Sequence, residues 1–246
     1  MRISLQWLSE WIGGPLPAPK DLAARLTMAG LEIEGVEAAA PPLPGVIVGE
    51  IVERVKHPNA DTLSVCQVNT GTETVQIVCG APNARAGMKA PLATVGAKLP
   101  GGLEIKKAKL RGVESFGMLC SGRELGLSEE SSGLLELPAE TPTGAAFIDA
   151  LGLDDTILEV NLTPNRGDCM SVLGIAREVA ALTGQSLTGP TLAAVPAASN
   201  ETVRVELTAG AGCVRFASRV IRGLNPQAKS PAWMQERLRR AGLRPI

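Results

Sequence analysis

The chain has 246 residues, 45% of them hydrophobic, and 24 basic side chains stand against 25 acidic ones. That is ample for two or three buried cores, and the even balance excludes a polycation, so any nucleic-acid surface must be local. Five cysteines (Cys66, Cys79, Cys120, Cys169, Cys213) form no CxxC pair and His57 is the single histidine, which excludes a disulfide framework or zinc ribbon and predicts no metal site. The thiols read as small buried hydrophobes in a reducing cytoplasm.

The opening MRISLQWLSEWIGG has one basic residue and no long apolar core. It predicts neither a signal peptide nor a membrane span of about 20 apolar residues, and a soluble cytoplasmic protein is expected. Leu5, Leu8 and Ile12 fall at helical spacing and predict a helix over 4–12, closed by a left-handed Gly13. Leu22 and Leu26 predict a second helix over 20–29 with Gly30 behind it, and 31–34 alternates as a half-buried strand.

After the stiff punctuation Pro41-Pro42-Leu43-Pro44-Gly45 the texture changes. Short β-rich runs at 46–55, 64–69, 74–79, 90–95, 103–111 and 134–137, separated by Gly, Pro and Asn turns, predict a small barrel or sandwich. Beyond 150, a strand is expected over 156–162, and a helix capped by Asp168 runs to about 182 with Gly184 behind it. The simplest organisation packs 1–40 and 151–189 into one discontinuous α+β domain, with 41–150 inserted between them. A small-residue linker follows at 190–200. Strands over 202–207 and 214–221, then a helix with Ser230 as N-cap and Pro231 at its first position, make up 201–246. This last part reads as half a domain, so the sequence looks truncated.

The run 103–111 carries the clearest chemical signal. Side chains two apart on a strand share a face, so Lys107, Lys109 and Arg111 project together while Ala108 and Leu110 turn inward. With Arg85, Lys89, Lys98 and Lys106, seven basic residues stand against one acid, Glu104, between 85 and 111. Each phosphate neutralised contributes about −0.7 to the salt slope on a single strand. A solvated edge strand guarded by lysines is the competing reading. With no tyrosine, three phenylalanines and three tryptophans, any RNA contact is directed to phosphate and shape more than to stacked bases. Phe116 is either a lone platform or a core residue.

Other motifs read as structural. His57-Pro58-Asn59-Ala60-Asp61 is a turn with no serine or cysteine nucleophile beside it. Neither GxxxxGK[ST] nor GxGxxG occurs, so ATP binding has no support. In Thr163-Pro164-Asn165-Arg166-Gly167-Asp168-Cys169, Arg166 either meets an anion at a helix N-terminus or fixes the loop.

Three ordered runs, HPNADTLSVCQVNTG (57–71), IVCGAPNARAGMKAPLATVGAKLPGG (77–102) and KKAKLRGVESFGMLCSGRELGL (106–127), closely resemble the tRNA-binding OB-fold domain of synthetase-associated proteins. The flanks MRISLQWLSEWI, MAGLEIEGVE (28–37) and NLTPNRGDCMSVLGIAREVAALTG (161–184) look like the β-subunit family of bacterial phenylalanyl-tRNA synthetase. The resemblance implies a small helix/strand domain interrupted by an OB-fold barrel, then the start of a mixed α/β editing-type domain whose pocket lies mostly past 246. It implies an α2β2 class II ligase charging tRNA(Phe) with ATP and magnesium, with aminoacylation residues on the α subunit. No catalytic residue and no cofactor is expected on this chain. Its expected partners are tRNA(Phe) and the α subunit, and the residues expected at the RNA are Lys89, Lys98, Lys106, Lys107, Lys109 and Arg111. A free-standing OB-fold tRNA-binding or RNA-chaperone protein is the alternative.

Overall fold

The computed structural model describes residues 1–129, 131–208, 212–228 and 230–244. In chain order the elements are β1 (Arg2–Ser4), α1 (Leu5–Ser9), α2 (Pro19–Met28), β2 (Glu32–Ala38), β3 (Val46–Lys56), β4 (Ser64–Asn69) and β5 (Thr74–Cys79). There follow β6 (Lys89–Thr94), β7 (Ala108–Leu110), β8 (Val113–Ser115), β9 (Gly117–Leu119), α3 (Phe147–Ala150), β10 (Thr156–Asn161), α4 (Val172–Thr183) and α5 (Ala232–Arg240).

The two ends of the chain share one core. β10 lies between β1 and β2 in an antiparallel sheet, and Ile3, Leu8, Leu22, Leu26, Leu158, Val160, Ile175 and Val179 are buried together behind it. The first helix begins at Leu5 because Ser4 ends the unpredicted strand β1 and its hydroxyl accepts from Trp7 N–H at 3.1 Å. Gly13 is not left-handed. It is an extension partner, its N–H donating to Ser186 O at 2.9 Å, and a Cβ there would meet Ser186 Oγ at 2.2 Å. Gly30 (φ 92°) and Gly184 (φ 68°) do take the expected left-handed closures.

The cap of α4 is Ser171, whose hydroxyl accepts from Gly174 N–H at 2.9 Å, and not Asp168. The reason is the 3-10 turn Pro164–Cys169, which folds back on the helix start. A Cβ on Gly174 would lie 2.1 Å from Asp168 O, so only glycine permits that turn to sit there.

Between the ends lies a five-stranded antiparallel sheet in the order β5-β4-β3-β6-β9. It curls until its edges meet: Phe116 N–H, just before β9, donates to Gln76 O of β5 at 2.9 Å. A nearly closed five-stranded barrel of this kind fits an OB-fold. The long β3 serves both sides of the curl, pairing β6 through Val46–Glu50 and β4 from Glu50 on, with an irregularity between Ile51 and Glu53. At Gly49 a Cβ would stand 2.8 Å from Val68 Cγ1, so the strands approach closely where the sheet bends. Ile51, Cys66, Val68, Ile77 and Leu92 fill one core; Val46, Val48, Leu125, Phe147 and Leu153 fill a second, with Phe147 of α3 fully covered. The 134–137 run is no strand; it makes one bridge, Leu137 to Lys89.

The chain enters and leaves this barrel at one place, where Ala39 N–H donates to Asp155 O at 2.9 Å. The expected strands at 202–207 and 214–221 do not form. A strand needs a partner for its ladder, and here Val203, Val205, Val214 and Phe216 are all exposed with nothing packed over them. The last helix begins at Ala232 with Pro231 as its N-cap, one position later than the sequence suggests, and no side chain caps it.

Candidate nucleic-acid interface

The basic run 103–111 is not one strand. Glu104 makes a single bridge to Lys98; the strand proper is Ala108–Leu110, which pairs with Val113–Ser115 alone as a separate two-stranded hairpin. Ala108 and Leu110 face a cleft of roughly 720 Å³ shared with Val78, Ser115 and Leu134, yet both stay solvent-exposed. They are not the inward core residues that alternation suggested. The cause is the loop Arg111-Gly112: both residues have positive φ (47° and 93°), the signature of a two-residue type I′ hairpin turn. Turning there lifts the strand off the barrel and puts Arg111 at the tip.

The expected cations fare differently. Lys107 lies 4.7 Å above the Phe116 ring and 3.0 Å from Glu114, and Lys109 stands directly opposite Glu114 in the ladder. Lys106 is 3.6 Å from Glu104. These are exposed pairs of small net worth that a phosphate can displace. Lys98, Lys109 and Arg111 are exposed and have no ion pair among the described residues. Lys89 is spent structurally: its ammonium donates to Ala139 O at 2.6 Å and Thr141 O at 2.7 Å, strapping the 138–142 loop to β6. Arg85 is paired with Glu136. Phe116 is half-open beneath Lys107, not in the core.

His57 is 2% exposed, and both ring nitrogens are taken up by backbone groups, which leaves neither nitrogen facing a substrate. Its turn has the structural role the residues suggested. Arg166 likewise fixes its loop. The guanidinium sits 2.8 Å from Glu178, 3.2 Å from Asp168 and 2.8 Å from Cys169 Sγ. That arginine occupies the centre of the acid and thiol cluster a cation would need. It holds the Asp168 carboxyl below the usual carboxylate range, while burial pushes the Cys169 thiol up. Cys66, Cys79, Cys120 and Cys169 are free and buried, as expected of small apolar side chains; Cys213 is half-buried.

Residues 46–146 match the family described as "Putative tRNA binding domain". Along its whole length the chain is 53% identical to a phenylalanine–tRNA ligase β subunit of Pseudomonas putida and 54% identical to that of Bordetella bronchiseptica. The chain is a relative of the phenylalanine–tRNA ligase β subunits. It spans about a third (31%) of the length of those β subunits. Among solved structures, a MetRS-related protein from Pyrococcus horikoshii matches 41% of this chain and 85% of its own, at 27% identity and a TM-score of 0.31, too low to speak for the fold. No helix among the described residues is long and apolar enough to cross a membrane. In this relative of the β subunits, the residues that the sequence reading passed over are Asn59, Gln76 and Ser115, which tie the hairpin to the barrel. Asn59 lies in the HPNAD turn and Ser115 in the run 106–127, while no motif points to Gln76.

Proposed function

We propose that this chain works as part of the β subunit of a cytoplasmic, α2β2 phenylalanine–tRNA ligase, contributing tRNA binding and assembly to the ATP-dependent charging of tRNA(Phe). The observation that carries the proposal is the match at both levels: a tRNA-binding family over 46–146, and β-subunit relatives over the entire chain. The second level favours this reading over a free-standing tRNA-binding protein. ATP and magnesium belong to the complete enzyme, with aminoacylation on the α subunit, and no catalytic residue is assigned here. The shared core of the two ends and the adjacent crossings at Ala39 and Asp155 support a domain of 1–40 with 151–189 that hosts 41–150 as an insert. Residues 190–200 then act as linker, and 201–246 begin an editing-type domain.

For the RNA we assign Lys98, Lys106, Lys107, Lys109 and Arg111, and set Lys89 aside because its ammonium is engaged. Phosphate contact positions a nucleic acid without reading its sequence, so the hairpin's role is auxiliary to the rest of the enzyme. Titration with tRNA(Phe) at two salt concentrations tests this. Affinity should fall as salt rises, and a Lys107→Ala, Lys109→Ala, Arg111→Ala variant should bind more weakly with a shallower salt slope. Binding that is absent, or indifferent to both salt and these substitutions, would sink the reading.

A further inference from the structure

The HPNAD turn between β3 and β4 has no part in the RNA contacts proposed above, yet its polar groups are aimed at the tip of the basic hairpin. Asn59 N–H donates to His57 Nδ1 at 3.0 Å, so that nitrogen carries no proton and Nε2 does. Nε2–H then donates to Leu110 O at 3.1 Å. The Asn59 side-chain amide donates to Arg111 O at 3.1 Å. The turn is closed independently by His57 N–H to Leu63 O and by the Lys56–Asp61 pair at 2.6 Å. Two consecutive carbonyls, those of Leu110 and Arg111, are thereby held from a rigid platform more than fifty residues earlier in the chain.

The hairpin needs such a hold. It has three residue pairs, all of β7 is exposed, and it belongs to no larger sheet. An isolated two-stranded hairpin is marginal in water. Its base is tied to β5 by Gln76 Nε2 to Glu114 O (2.8 Å) and Val78 N–H to Ser115 Oγ (3.0 Å). Its tip is tied by His57 and Asn59. Left free, the tip would have to be ordered when RNA binds, and that ordering is lost from the affinity.

We infer that His57 and Asn59 are positioning residues that pre-set the Arg111-Gly112 tip for the tRNA backbone, the neutral imidazole bridging two main-chain groups. The inference rests on the tRNA-binding reading proposed above. The full chain tests it with Asn59→Ala, His57→Phe and His57→Gln, using three readouts: trypsin cleavage after Lys109 and Arg111, thermal melting, and affinity for a tRNA(Phe) transcript. Asn59 is exposed, so its truncation leaves the barrel intact should a His57 variant fail to fold. Asn59→Ala should speed cleavage at the tip roughly fivefold and weaken tRNA binding comparably, with the melting temperature of the barrel unmoved. His57→Phe should do more, and His57→Gln, which keeps a donor for Leu110 O, should fall between it and the parent chain. Unchanged cleavage in Asn59→Ala overturns the inference, as does faster cleavage with unaltered affinity. If the parent chain binds no tRNA, the functional reading itself has failed, and the cleavage rates still report separately whether the turn holds the tip.

Discussion

Arg111 combines a backbone cost with a charge. A non-glycine residue at positive φ is disfavoured by about 1 kcal/mol or more, and Asn-Gly is the pair that a type I′ turn prefers. Arg111→Asn should therefore keep the turn, or firm it, while removing the cation. The expected result is unchanged tip cleavage by trypsin after Lys109, weaker tRNA binding, and a salt slope reduced by roughly one; a matching loss of hairpin order would show that conformation, not charge, set the affinity. The charge of Arg111 is plain in the sequence. Its conformation is not, because Arg-Gly does not announce a turn as Asn-Gly does, and the loop is defined only once Leu110 is seen opposite Val113. The buried thiols were easier to read, since five scattered cysteines need only an apolar interior. Burial pushes Cys66 up to about 11 and Cys120 up to about 12. Raised folded values mean stability that is complete below the ordinary thiol value of 9.0 and is lost as pH climbs through the folded ones. Melting temperature should decline above pH 9, and iodoacetamide at pH 8 should label Cys213 well ahead of Cys66 and Cys120.

Among the elements, β4 and β5 lie where alternation and flanking turns put them, to the residue. The run 103–111 and the segments at 202–207 and 214–221 show the opposite: β-rich composition is necessary for a strand, but a ladder partner decides whether one exists. Helix α4 shows the same limit at its cap. Two residues of capping type, Asp168 and Ser171, lie three apart, and the choice falls to Ser171 because Gly174 admits the preceding turn. Ser171→Ala should cost about 1 kcal/mol in chemical denaturation. Asp168 acts through Arg166 instead. Its depressed carboxyl contributes stability that is present at neutral pH and lost as pH falls below its ordinary value of 3.8, and Asp168→Asn should flatten the acid limb of a stability profile. Lys89→Met separates strap from RNA contact in the same way. It should destabilise by about 1 kcal/mol, because the part-buried carbonyl of Thr141 loses its donor while that of exposed Ala139 turns to water, with the salt slope for tRNA unchanged.

Across the whole molecule, Asp155 joins the parts. Its carboxylate, fully covered, accepts from Ser4 Oγ, Gln6 N–H (3.0 Å), Thr156 N–H (2.8 Å) and Arg240 of α5 (3.1 Å). It sits where the chain leaves the barrel, and Arg239 of the same helix reaches Ala39 O, where the chain enters. The two partners are unequal. Arg240→Met leaves Asp155 with three donors, and in Asp155→Ala the guanidinium keeps Gln6 Oε1, Gly152 O and Glu236. But Asp155→Ala also leaves the Ser4 hydroxyl and the Gln6 and Thr156 amides without their acceptor. The second should therefore cost about 3–5 kcal/mol and the first less; equal losses in parallel melts would contradict this account. Helical spacing, strand alternation, turn chemistry and local charge each involve residues a few positions apart, and from them came the barrel segment, the flanking helices and the basic run. Which cations are spent, which hydroxyl caps a helix, where β7 lifts away and what holds its tip depend on groups such as Thr141, Gly174 and His57 brought from elsewhere in the chain. Those pairings follow from packing, since a polar group shielded from water must find its partner wherever the fold supplies one.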